Sequence, residues 1–109
     1  MAKLVINKET NDRTGGTVAV NAIIGFDIIL KWGTLEIHYN LVTYRSVADH
    51  ESGKTQIYLT DIPNYGIVKI MTSEEYTDLL ANGALAVSWL KTALIATGNF
   101  VDEDLTIVP

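Results

Sequence analysis

Cysteine is absent from these 109 residues. That excludes a disulfide scaffold, thiolate zinc sites and cysteine nucleophiles, and it fits a reducing compartment. Charge is sparse: 19% of residues are Asp, Glu, Lys or Arg, below the usual ~25%. The eight basic residues (Lys3, Lys8, Arg13, Lys31, Arg45, Lys54, Lys69 and Lys91) are scattered singly, against thirteen acidic ones, for a net charge of −5. Sequence-independent nucleic-acid binding needs clustered cations to displace counterions, so nucleic acid is not an expected partner. The longest apolar run, "VAVNAIIGFDIIL" (18–30), is interrupted by Asn21 and Asp27 and falls short of the ~20 residues a membrane helix needs. "MAKLVINKE" is too short and too broken for a signal peptide. The expectation is a soluble protein with no membrane partner.

What the chain does have is apolar content, at 48%. A chain of this length buries roughly two-thirds of the surface its unfolded form exposes, enough for one modest core. Residues 1–109 therefore read as a single domain, with 1–17 belonging either to its sheet or to an arm reaching a neighbour. An apolar, weakly charged small chain also favours sharing its surface in an oligomer.

Residues 3–8 read as a short strand, and "ETNDRTGGT" (9–17) as a loop of turn-forming residues. Val18, Val20, Ala22, Ile24, Phe26, Ile28 and Leu30 then form an apolar face on a period of two. "WGTLEIHYNLVTYRS" carries Leu35, Ile37, Tyr39, Leu41 and Thr43 on one side. A tight turn at Trp32-Gly33 would set Leu30 against Leu35 and Ile28 against Ile37, making the two apolar faces coincide. The outer face of this hairpin is mixed. Ala19, Ile23, Ile29, Val42 and Tyr44 lie there among Asn21, Asp27, Glu36, His38 and Asn40. A strand pair with that much outward apolar surface invites another chain to cover it or extend its edge.

Residues 47–54 read as a solvated loop, 55–60 as a strand, 61–66 as a turn and 67–71 as another strand. The period then changes. Thr72-Ser-Glu-Glu75 has capping-box spacing, and an apolar stripe from Tyr76 to Leu94 recurs at three and four. Asn82-Gly83 divides it into helices over 73–81 and 84–97, Gly98 stops the second, and 105–108 closes as a strand. The fold class is α+β: a mostly antiparallel sheet of about five to six strands, with a C-terminal helical segment packed on one face and a final short strand.

Motifs of catalysis are weak. "ADHESGKT" (48–55) matches a loose P-loop pattern, but phosphate cradling needs a helix after the lysine. Strand-forming "QIYLT" follows instead, and Asp49 and Glu51 within the loop would repel a triphosphate. Asp49-His50-Glu51 does not bring three metal ligands onto one side of an extended chain. Ser46, Ser52, Ser73 and Ser88 lack the G-x-S-x-G setting of a nucleophile. No carboxylate pair is marked out for acid–base work. The expectation is no catalytic residue, no cofactor, no metal and no enzyme. Trp32 at the hairpin tip and Tyr65 beside Pro63 are the aromatic candidates for partner contact. Ile23, Val42 and Tyr44 join them from the outer hairpin face, while Trp89 beside the helical stripe reads as core.

Over residues 34–108, the strands of "LEIHYNLVTYRS", the Pro63 turn, the "TSEEY" helix start and the closing strand resemble the small accessory structural proteins of tailed bacteriophage virions. The resemblance implies a non-enzymatic capsid, connector or tail accessory part. Its partners would be itself, as a homo-oligomer, and larger virion proteins, and it would be assembled in the host bacterial cytoplasm. Its mechanism would be interface burial and strand augmentation. A small ligand-binding or regulatory module with a pocket between sheet and helix is the competing expectation.

Overall fold

The computed structural model describes residues 3–18, 22–31, 33–53, 56–60, 62–63 and 66–108. In chain order the elements are β1 (Lys3–Ile6), β2 (Thr10–Asn11), β3 (Thr17–Val18), β4 (Ala22–Lys31), β5 (Glu36–Tyr44) and α1 (Val47–Glu51). They continue with β6 (Ile67–Ile70), α2 (Ser73–Ala81), α3 (Leu85–Ala96), a 3-10 turn (Asp102–Asp104) and β7 (Leu105–Val108). Five strands make one sheet in the order β6-β5-β4-β1-β7, and β2 and β3 pair separately. Every neighbouring pair in the main sheet is antiparallel. With the C-terminal helices α2 and α3 on one side and a closing strand, the fold is the expected α+β class.

The period-two pattern of β4 and β5 explains their pairing. Ile24, Phe26, Ile28 and Leu30 share a face with Thr43, Leu41, Tyr39 and Ile37. The register differs from the sequence expectation by two residues, because Leu30 meets Ile37 rather than Leu35. A shift of two leaves every side chain on its original face, so the apolar pattern is satisfied equally by both registers. Turn geometry decides between them. Between the two strands, residues 33–35 turn the chain, with Thr34 N donating to Lys31 O at 3.3 Å and Leu35 at φ +51°. A non-glycine residue in that region is uncommon. Leu35 occupies it while packing its side chain against the core and accepting a backbone hydrogen bond from Met71 N at 2.9 Å.

Helices α2 and α3 cover the inner face. Thr72 and Glu75 close a reciprocal capping box at the start of α2, and Gly98 takes φ +90° just beyond α3. From α3, Ala86, Val87, Leu90 and Leu94 are buried against a core that includes Leu4, Ile6, Ile24, Ile37 and Leu105. Tyr39 joins that core with its hydroxyl satisfied, donating to Ala86 O at 2.6 Å. Burial pushes this phenol up to about 12. Trp89, expected in the core, is only partly buried and carries the Lys69 ammonium 5.2 Å from its ring centroid.

Three segments differ from their expected forms, the first being 9–17, read as a loop, where Thr10 and Asn11 pair with Val18 and Thr17. Residues 47–51, read as part of a solvated loop, form α1, because the Ser46 hydroxyl caps it by accepting from Asp49 N at 3.1 Å. The helix thus precedes Gly53 instead of following it, opposite to a P-loop. Residues 56–60 are not a full strand: Ile57 and Leu59 make single bridges, to Thr43 and Asp12. Meanwhile β1 runs inside the sheet between β4 and β7, with Leu4 and Ile6 fully buried.

Candidate functional site

The outer face of the sheet is built from the alternate residues of each strand. Register places Val5, Ile23 and Tyr44 in one row, Gly25 opposite Val42, and Asp27 opposite Asn40. Further along, Ile29, His38 and Val68 form a row across three strands, and Lys31, Glu36 and Ile70 form the next.

Helix α1 divides this face in two. It packs over β4 and β5, with His50 edge-to-face on Tyr44 at 5.0 Å between centroids. Gly25 supplies the seat: a Cβ there would stand 3.1 Å from His50 Nε2. The consequence corrects one sequence expectation. Ile23, placed among the partner contacts, has 0% of its surface exposed, because α1 and the neighbouring strands enclose that end of the face. Val42 and Tyr44 are half-buried in the same region. Trp32 and Tyr65, the two aromatic candidates, lie outside the described residues.

The other half of the face is open. Ile29 is 51% exposed, Val68 40% and Ile70 70%. His38 sits between Ile29 and Val68, its Nε2 3.4 Å from Glu36 Oε1. Glu36 lies two residues before His38, so the period of two puts both on the same face of the same strand. A hydrogen bond from the Thr34 hydroxyl, aided by His38, holds the Glu36 carboxyl below the usual carboxylate value. Val68 and Ile70 were missed as contact candidates. The readable signal was "IVKIM", in which apolar residues occupy both faces of a short strand.

This open half ends at a sheet edge. Met71 N donates to Leu35 O, and Ile37 pairs with Lys69 and Tyr39 with Ile67. Antiparallel ladders alternate hydrogen-bonded and non-hydrogen-bonded pairs. The backbones of Ile67, Lys69 and Met71 therefore face β5, while those of Val68 and Ile70 turn outward. The inner side of β6 is charge-balanced, with Lys69 Nζ 2.9 Å from Glu75 Oε2.

Concave regions among the described residues lie elsewhere. Between β6 and α3 is a cavity of about 170 Å³, floored by Tyr39 and walled by Trp89 and Ala93. A cavity of about 430 Å³ opens beside Asp12, Arg13, Arg45, Gln56 and Tyr58. Only the second falls in the ~300–1,000 Å³ range of small-molecule sites. Among the described residues no group of three His, Asp or Glu side chains is placed to hold a metal ion. Likewise, no helix among them is long and apolar enough to cross a membrane. Compared with protein families, curated proteins and solved structures, the chain matches none.

Proposed function

We propose that this chain is a non-enzymatic assembly protein that joins a second copy of itself through β6. The supporting observation is the continuity of exposed Ile29, Val68 and Ile70 with a sheet edge whose outward backbone groups belong to Val68 and Ile70. Burying apolar surface supplies the drive, and strand addition supplies the register.

Pairing two β6 strands antiparallel about a two-fold axis keeps outer faces together. Setting Val68 of each copy opposite Ile70 of the other makes two hydrogen-bonded pairs and buries all four side chains. The two Lys69 residues then meet on the inner face, each already compensated by its own Glu75. Larger assemblies recruit such a dimer through the rest of the outer face. Sequence resemblance to accessory virion proteins supports a capsid, connector or tail part of a tailed bacteriophage as the setting.

Sedimentation velocity across a concentration series tests the dimer. Proline is tolerated in an edge strand where its missing N–H would face solvent, so Val68→Pro should fold yet remain monomeric. Ile70→Lys should do the same. A wild-type chain that stays monomeric throughout the series, or a Val68→Pro variant that still dimerises, would overturn the reading. The virion setting is checked separately, by whether the chain co-purifies with particles.

A further inference from the structure

The cavity beside Asp12 has a charge balance that selects a ligand. It is lined by two guanidinium groups, Arg13 and Arg45, and one carboxylate, Asp12. Asp12 is already satisfied. Its Oδ1 accepts from Thr14 N at 2.9 Å, Thr14 Oγ1 at 2.6 Å and Gly16 N at 2.9 Å. Gly16 is required for this closeness, since a Cβ there would lie 2.7 Å from Asp12 Oδ2. Those hydrogen bonds, led by the Thr14 hydroxyl, hold the Asp12 carboxyl below its ordinary value.

Arg45 is left nearly unspent. Its Nη2 is 3.7 Å from Asp12 Oδ2, too long for a hydrogen bond, and its guanidinium has no hydrogen bond to any described residue. Gln56 likewise has no hydrogen-bond partner among the described residues. Arg13 is fixed differently, donating to Ile62 O at 3.3 Å with its guanidinium 5.9 Å from the Tyr58 ring centroid. The remaining wall, Ile57 and Tyr58, is apolar and aromatic.

Two positive charges against one negative leave a surplus of a single charge, on a chain whose overall charge is −5. Attraction of an anion must therefore be local. A free guanidinium presents a planar fork that matches a carboxylate bidentately. We infer that this cleft binds a small monocarboxylate with an apolar or aromatic body, its carboxylate on Arg45 and Gln56 and its body against Ile57 and Tyr58. A dianion would meet about twice the repulsion from Asp12 that a monoanion meets, against the same single surplus charge. The site lies away from the β6 edge, and it stands or falls independently of the dimer.

Benzoate tests this directly, with benzamide as its neutral counterpart and inorganic phosphate as a compact anion without an apolar body. Amide resonances of the full chain would be followed during titration of each. Benzoate should shift residues 12–14, 45 and 56–58 with a dissociation constant on the order of 1 mM, typical of so small a ligand. Benzamide and phosphate should bind at least about tenfold more weakly, as should benzoate to Arg45→Gln. Equal binding of benzoate and benzamide overturns the role of the guanidinium, and phosphate binding as tightly as benzoate overturns the apolar subsite. Absent or displaced shifts, or an Arg45→Gln variant with unchanged affinity, overturn the site itself. Should Arg45→Gln fail to fold, the three-probe comparison on the wild-type chain decides alone.

Discussion

Gly25→Ala places a methyl group 3.1 Å from His50 Nε2 and 3.5 Å from its Cδ2, and two effects oppose each other there. Glycine within a strand costs roughly 0.5–1 kcal/mol relative to alanine. Gly25 lies within β4 and has no positive φ, so alanine meets no backbone penalty. In open space the substitution would stabilise. Here the methyl enters space occupied by an imidazole already held against Tyr44, and overpacking of that kind costs about 1–3 kcal/mol. The steric effect should win, for a net loss of about 1 kcal/mol and a Tm lowered by roughly 4–8 °C in a domain of this size. Replacing His50 by alanine removes the obstruction. In that background Gly25→Ala should raise stability by about 0.5–1 kcal/mol. Urea denaturation of the wild type, both single variants and the double variant yields the coupling between the two sites, expected at roughly 1.5–2 kcal/mol. If Gly25→Ala has the same effect in both backgrounds, α1 is not seated on β4 through His50, and the division of the outer face falls with it.

Tyr39→Phe removes the hydroxyl that donates to Ala86 O and should cost about 1 kcal/mol in the urea midpoint, without altering the far-ultraviolet spectrum. Thr72→Ala breaks the capping box and should cost about 0.5–2 kcal/mol; an unchanged stability would mean the box contributes nothing in solution. Leu90→Ala, at a fully buried site of α3, should cost about 2–5 kcal/mol by calorimetry or chemical denaturation. The carboxyls of Asp12, Glu36, Glu75 and Asp104 all lie below their ordinary values in the folded state. Each contributes stability that is present above its unfolded value and lost as pH falls through its folded value. Denaturation midpoints should therefore fall on acidification below about pH 4.5, and Glu75→Gln should flatten part of that dependence; a midpoint that rises on acidification contradicts the sign.

The sequence made the helices legible because their punctuation is local. Thr72 and Glu75, the Asn82-Gly83 interruption and Gly98 each act within one turn, and the helices fall at Ser73–Ala81 and Leu85–Ala96. The hairpin was legible as to face but not as to register, since a two-residue shift keeps every side chain on its side. What selected the register was a left-handed Leu35, which carries none of the glycine or asparagine chemistry that announces such a position. Ile23 was misplaced for a related reason. Its burial depends on a five-residue helix whose only local sign is the Ser46 cap. The open outer half was hidden because β6 is too short for its alternation to be read alone. Which of its faces remained open depended on the neighbouring strands and on the placement of α1. The anion cleft had no sequence signature at all. Asp12, Arg45 and Gln56 come from three separate segments, brought together by the single bridges at Leu59 and Ile57.

The pairing of β1 with β7 has a consequence for how the protein is made. Lys3 lies opposite Val108, and Ile6 opposite Leu105, so one rung of the ladder joins residues from nearly opposite ends of the sequence. Closing so long a loop carries a large entropic cost before any contact repays it. During synthesis β1 leaves the ribosome long before β7, and until β7 arrives its outer edge is open, with apolar Leu4, Val5 and Ile6 beside it. The β4–β5 hairpin can form meanwhile from local contacts, giving β1 one partner but not two. The chain thus spends its synthesis with two open sheet edges. One is closed late by β7, and the other, β6, is the edge that the proposed dimer would pair.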